Sequence, residues 1–138
     1  MRDAIQRPRM RCHSRDALAA VELAVCLPVL VLLMLGAIES SNMIFLRQAL
    51  VQSSYEAVKL AARPDATSVE ATARAEAVLT ARGIEDFTVT LNPANTELIV
   101  RGTDILATAT APMDANRLVP FSPFAGQAVS VSMTSVKH

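Results

Sequence analysis

Hydrophobic residues are concentrated in one long run near the start of the chain. Residues 17–38 read ALAAVELAVCLPVLVLLMLGAI, and no side chain between Leu23 and Ile38 carries a charge. A helix of about 22 residues spans roughly 33 Å at about 1.5 Å of rise per residue, which is enough to cross the hydrocarbon core of a bilayer. The pattern therefore predicts a transmembrane helix over residues 18–38. We call residues 17–38 the apolar run.

The helical pattern continues beyond the apolar run, over residues 39–63, which we call the extension. This stretch contains no Gly or Pro and stops before Pro64. Its apolar residues recur every three or four positions, which predicts a helix with one apolar face. That face consists of Met43, Leu46, Leu50, Val51, Tyr55, Ala57, Val58, Ala61 and Ala62. Such a face packs either on the chain's own C-terminal segment or on a partner. We expect the first, because that segment is short of core residues.

Residues 64–138, called the module below, begin with a second helix signal. Thr67 and Glu70 have the spacing of a capping box, and Gly83 is a typical residue just past the end of a helix. Alternation of apolar and polar residues then predicts four strands, at 87–91, 96–101, 104–111 and 128–136. The turn sequence Asn-Pro-Ala-Asn predicts that the first two strands form a hairpin.

The predicted fold class is α+β. It consists of a long N-terminal transmembrane helix continuing into a module with a second helix and a small antiparallel sheet. Between the last two strands, residues 112–127 contain three prolines and two phenylalanines. We interpret this segment as a lid on the core, with a recognition surface as the alternative. A module of this size is small for a stable domain without disulfides.

The charges around the apolar run predict its orientation. Five arginines and two aspartates precede it, and the first cation after it is Arg47. Because Lys and Arg are retained on the cytoplasmic side, residues 1–17 are predicted to be a basic cytoplasmic leader, with the extension and the module outside. Over the whole chain 13 basic and 13 acidic side chains cancel. Nucleic-acid-binding domains usually carry a basic patch, so we expect no nucleic-acid partner.

No arrangement of residues in the sequence predicts catalysis. The two histidines, His13 and His138, lie near opposite ends of the chain, and four glycines form no phosphate-binding loop. We therefore expect no enzymatic activity, no metal, no cofactor and no small-molecule substrate. Cys12 lies in the leader and Cys26 in the apolar run, so we expect no disulfide outside the membrane.

Two residues inside the apolar run are unusual for a membrane helix. Glu22 places a carboxylate where lipid is expected, which costs a few kcal/mol unless the group is paired or reaches the headgroups. Pro28 removes one backbone donor and clashes with the carbonyl of Ala24, which predicts a kink.

Three simpler interpretations of the run are a cleaved secretory signal, a lipoprotein signal and a plain single-pass anchor. The run is long for a secretory signal and continues into further helix. A lipoprotein signal would end at Cys26, but Val25 is a poor residue before a modified cysteine, and the strongest apolar stretch follows Cys26. The plain anchor stays open as the least specific interpretation.

Three short motifs make the interpretation more specific. Residues 15–22 read RDALAAVE, residues 27–30 read LPVL and residues 36–39 read GAIE. In this order they resemble the N-terminus of the TadE-like pseudopilins, components of the tight-adherence (Tad) pilus assembly system. The resemblance covers about residues 17–63. The family usually has Gly before its processing site, and this chain has Ala17 there.

The resemblance implies a role in assembly. A prepilin peptidase is expected to cleave between Ala17 and Leu18, which makes Glu22 the fifth residue of the mature chain. The Glu22 carboxylate is then expected to pair with the free N-terminal ammonium of its own chain or of a neighbouring subunit. The alternative is a Glu22 that reaches the cytoplasmic headgroups.

The partners implied are other pilins or pseudopilins, Tad assembly-platform proteins, the prepilin peptidase and membrane lipid. The expected location is the bacterial cytoplasmic membrane, with possible incorporation into a pilus or secretion apparatus. Two alternatives remain. One is a type II secretion pseudopilin, although those usually begin with an aromatic residue and Leu18 is aliphatic. The other is a membrane-tethered binding protein that is neither processed nor assembled.

Overall fold

The computed structural model describes residues 14–120 and 124–138. Its helices are α1 (Ser14–Ala61), α2 (Ser68–Ala81) and the single turn α3 (Met113–Asn116), and its strands are β1 (Thr88–Asn92), β2 (Asp104–Pro112) and β3 (Ala128–Val136). The chain divides into two compact units between Met34 and Leu35. A long apolar helix, a second helix and a small antiparallel sheet confirm the predicted α+β class.

The first unit is the part of α1 before Leu35, and the second contains everything from Leu35 onward. Helix α1 begins at Ser14, inside the predicted leader, and ends at Ala61, two residues before the predicted Arg63. The end of α1 is held by Lys137, whose Nζ donates hydrogen bonds to the carbonyl oxygens of Ala61 and Arg63 at 3.0 and 2.7 Å. A cation at a helix C-terminus is favourable because the last carbonyls have no intrahelical donor.

Both predicted signals at the ends of α2 are confirmed. The Thr67 hydroxyl accepts a hydrogen bond from the Glu70 amide at 3.1 Å, and the Glu70 carboxylate accepts one from the Thr67 amide at 3.2 Å. At the other end Gly83 has φ of +68°, a conformation that favours glycine. The amides of Gly83 and Ile84 donate to the carbonyls of Thr80 and Leu79, which is a Schellman motif.

The sheet has three antiparallel strands in the order β1-β2-β3. Val89, Ala109 and Val131 form one row across it. The inward-facing residues of the central strand are fully buried, and they are Ile105, Ala107, Ala109 and Ala111. Most of them are alanines, so the helices approach this face of the sheet closely.

The predicted hairpin between 87–91 and 96–101 is wrong. Residues 96–101 contain no strand, and β1 pairs with β2 instead. The nine-residue β2 buries four inward side chains, whereas the alternation in 96–101 offers only Leu98 and Val100 for one face. These two side chains are 83% and 77% exposed, and Ile99 packs towards the core in their place.

The apolar face of the extension packs on the chain's own module, as predicted. Leu46, Ala49 and Leu50 are buried in one cluster with residues of α2, β2, α3 and β3. Further along α1, a second cluster contains Ala57, Val58, Ala61, Ala71, Ala75, Ile105 and Ala107. Tyr55, which the sequence placed on this face, is half exposed.

The segment 112–127 is partly pinned to the core. Met113 is fully buried, its amide donates to the Gln127 carbonyl at 2.8 Å, and Phe124 packs against the first cluster. These contacts favour the lid interpretation over a free recognition loop. Phe121 and Pro123 lie outside the described residues.

Candidate assembly site on the long helix

The apolar run is exposed along its length in the first unit. Its large apolar side chains from Leu18 to Met34 are 44% to 69% exposed. Helix α1 is long and apolar enough to cross a membrane, and none of its most apolar window is buried inside the molecule. A signal sequence passes the same test of length and composition. Exposed apolar surface on this scale favours lipid or another protein as its surroundings.

The predicted processing site lies within the described part of α1. Ala17 and Leu18 are both exposed, and the bond between them lies within α1. The leader up to residue 13 lies outside the described residues. Processing stays a prediction.

Glu22 is exposed on the same helix, one turn beyond Leu18. Within the described parts of the chain its carboxylate has no hydrogen-bond or ion-pair partner. The ammonium that processing would create at Leu18 lies about 6 Å away along the helix axis, for four residues at about 1.5 Å each. A flexible glutamate side chain on an exposed surface is available to that group or to a neighbouring subunit. The pairing itself stays a prediction.

Pro28 lies inside α1, and the helix assignment continues through it. The proline has no amide hydrogen, so the carbonyl of Ala24 loses its usual donor. The predicted kink stays a prediction. Cys26 is a free, exposed cysteine on this helix, and Cys12 lies outside the described residues.

Glu39 is a buried carboxylate that the sequence pattern did not predict to be buried. It directly follows the apolar run, yet it is fully buried. Its Oε2 accepts hydrogen bonds from the amides of Leu118 and Val119, both at 3.3 Å. Its Oε1 has no partner among the described residues. The sequence feature that could have drawn attention to Glu39 is its position, since it is the first charge after Ile38 and the last residue of the GAIE motif.

Hydrogen bonds of two asparagine side chains, Asn42 and Asn116, hold α1 and α3 together next to Glu39. The Asn42 side chain donates to the Asn116 carbonyl at 2.6 Å, which ties α1 to α3. The Asn116 amide side chain accepts from the Glu85 amide at 2.8 Å and donates to the carbonyls of Glu85 and Pro112, each at 2.9 Å. Through Asn116, this end of the extension is therefore joined to the segment after α2, at Glu85, and to the end of β2, at Pro112.

The rest of the described chain contains little that could act chemically. No group of three or more His, Cys, Asp or Glu side chains that could hold a metal ion occurs in residues 14–120 and 124–138. An open groove of about 470 Å³ lies between α2 and β1, and Glu76 is the one titratable residue among the described residues that line it. The candidate site is therefore the long helix itself.

Comparison with known proteins agrees with the motif resemblance. No curated protein and no solved structure matches this chain. Residues 18–59 match the family model described as TadE-like protein, a stretch that begins at the expected first mature residue and ends within the extension. The match covers most of α1 and none of the sheet. The chain thus carries a TadE-like domain in its long N-terminal helix, which confirms the suspected family and indicates involvement in a Tad pilus-related system.

Proposed function

We propose that the protein is a pseudopilin or minor pilin, a structural or assembly component of a Tad-type pilus or secretion apparatus. The observation that carries this proposal is the TadE-like match over residues 18–59, which coincides with an exposed apolar helix. That helix is the element through which such a subunit would contact lipid before assembly and other subunits afterwards. The proposal includes no catalytic activity and no cofactor.

The proposal places the protein in the bacterial cytoplasmic membrane, with its leader in the cytoplasm and its module outside. Processing between Ala17 and Leu18 by a prepilin peptidase would remove the five leader arginines and leave a mature chain with a net charge of −3. Loss of these arginines removes the main determinant that holds the N-terminus on the cytoplasmic side. Such a change suits a subunit that is later drawn out of the membrane.

Glu22 has a specific role in this proposal. After processing, its carboxylate would accept the Leu18 ammonium of its own chain or of a neighbouring subunit. Other pilins or pseudopilins and assembly-platform proteins would supply the remaining contacts. A carboxylate in lipid is costly when unpaired, so formation of this pair between two subunits would favour assembly over the free subunit.

The orientation is tested by proteolysis of spheroplasts. A protease added outside is expected to digest the chain from Asp65 onward in intact spheroplasts, because the module lies outside the membrane. A cytoplasmic marker protein must stay intact in the same sample. A module that is protected until the membrane is dissolved would contradict the orientation.

Substitution of Glu22 tests the assembly role. Glu22→Ala is expected to leave membrane insertion intact or improve it, and to lower the recovery of other pilus components by about tenfold or more, since truncating one partner of a desolvated charge pair costs about 2–5 kcal/mol. Glu22→Gln, which keeps the size and removes the charge, should behave like Glu22→Ala. Recovery is measured by affinity purification in mild detergent.

The matched control for both variants is Val21→Ala, which trims an exposed neighbour on the same helix. Its recovery of partners should equal that of the unmodified chain. Full recovery with Glu22→Ala would instead support a carboxylate that only reaches the headgroups. A monomer with an uncleaved N-terminus would support the membrane-tethered binding protein.

A further inference from the structure

Glu39 fixes a surface segment at the point where the apolar run ends. In the second unit Leu35 and Ile38 are exposed, whereas Glu39 is buried and accepts the amides of Leu118 and Val119. The backbone of these two residues therefore lies beside the first helical position after the apolar run. If the run crosses a bilayer, the segment 117–119 lies at the bilayer surface.

The exposed chemistry of this region matches that of a membrane interface. Leu118 is 66% exposed although its amide is held, and Phe45 on α1 is 46% exposed. Both line one cavity of about 280 Å³ together with Arg82 and Arg117. Exposed aliphatic and aromatic side chains beside arginines are typical of protein surfaces that lie in the headgroup region.

The two arginines retain donors for an anionic group. Arg82 donates to the Gln52 side chain and lies 6.0 Å from the centre of the Phe45 ring, an arrangement that still leaves part of its guanidinium free. The Nη1 atom of Arg117 lies 3.8 Å from the Oδ1 atom of Asp114, and the Arg117 side chain is 42% exposed. Glu85 is the carboxylate that lines the same cavity. Exposed ion pairs contribute little, so a phosphate can compete with Asp114.

We propose that the segment 117–119 and the adjoining cavity form a second membrane contact, in which Leu118 enters the headgroup region and Arg82 and Arg117 bind anionic phospholipid. This rests on the membrane anchor of the proposed function. A lipid surface is favoured over a protein partner because Glu39 holds the segment beside the end of the apolar run. The contact sets the orientation of the second unit on the membrane, and it must be released when the subunit is extracted.

The chain contains no tryptophan, so a single introduced tryptophan reports on its own position. The full-length Leu118→Trp variant is reconstituted in vesicles of phosphatidylcholine and phosphatidylglycerol, with and without brominated acyl chains. We expect blue-shifted emission and about a twofold or greater loss of intensity with brominated lipid, because the ring would lie at the acyl boundary.

The matched control is Leu98→Trp, since Leu98 is also an exposed loop leucine. It belongs to the loop whose Gly102 amide donates to the Lys137 carbonyl, and Lys137 caps α1 at Ala61. Ala61 is about 33 Å from Glu39 at about 1.5 Å per residue. Brominated lipid is expected to leave the Leu98→Trp emission unchanged.

Two further variants test the mechanism of the contact. Adding Arg117→Gln to Leu118→Trp should lower the quenching in anionic vesicles towards its value in pure phosphatidylcholine. Phe45→Trp, a conservative exchange that lines the same cavity, provides a second reporter if Leu118→Trp does not fold. Its quenching should exceed that of Leu98→Trp and be weaker than that of Leu118→Trp, because Phe45 lies six residues, about 9 Å, beyond Glu39 along α1.

Equal quenching of Leu118→Trp and Leu98→Trp would overturn the proposal. A blue shift that grows with the protein-to-lipid ratio, without quenching by brominated lipid, would overturn it in favour of a protein partner. Flotation with the vesicles tests the anchor separately. If the Leu118→Trp variant floats with the vesicles but brominated lipid does not quench it, only the proposal of a second contact is overturned. If the variant does not float, the membrane anchor and the second contact are both overturned.

Discussion

Ala17→Arg is expected to abolish processing, so that the full chain with its leader accumulates in cells that contain an active prepilin peptidase. The residue before the predicted scissile bond is small in this chain and glycine in the family it resembles. A long cationic side chain would not fit a site that accepts such residues, and desolvating its charge costs several kcal/mol. Intact-mass measurement of the purified variant gives the answer directly.

Two control variants show whether the effect depends on the residue at position 17 or on the added charge in general. Ala17→Gly restores the usual residue and should be processed at least as fast as the unmodified chain. Ser14→Arg adds the same charge three residues earlier and should still be cleaved. Normal cleavage of Ala17→Arg would show that this bond is not the processing site.

Leu50→Ala is expected to destabilise the second unit by about 2–5 kcal/mol, since it removes buried methyl groups and leaves a cavity. Leu50 is fully buried in the cluster that joins the extension to α2 and the sheet. Small domains have about 5–15 kcal/mol of stability, so this loss is a large fraction of the total. Protease resistance of the full-length protein in increasing urea, in detergent, measures the change.

Leu98→Ala is the matched control, because it is the same substitution at a side chain that is 83% exposed. Its effect is expected to stay within about 0.5 kcal/mol. Equal losses for the two variants would contradict the packing of the extension on the module. A partner would then be the source of the extension's stability.

Local signals in the sequence predicted local structure well. The ends of α2 depend on residues within one or two turns, namely Thr67, Glu70 and Gly83, and all three act as predicted. The apolar face of the extension was predictable for the same reason, since its period is that of a helix. The motifs of the apolar run predicted the family that residues 18–59 match.

Long-range choices were not predictable from pattern alone. Residues 96–101 and β2 both alternate, and the pairing with β1 depends on how many side chains each would bury against α1 and α2. The partners of Glu39 are amides 79 and 80 residues further along the chain. Lys137 likewise caps carbonyls 74 and 76 residues before it. A charge at the end of an apolar run indicates solvent or headgroups, and only the fold brings these backbone donors to it.

The most direct test of the assembly proposal is the intact mass of the protein isolated from its native cells. We expect a mature chain that begins at Leu18, because processing would create the ammonium that Glu22 accepts and remove the basic leader. The measurement requires cells with an active prepilin peptidase. Retention of Met1 in such cells would contradict the account and support a plain membrane-tethered protein.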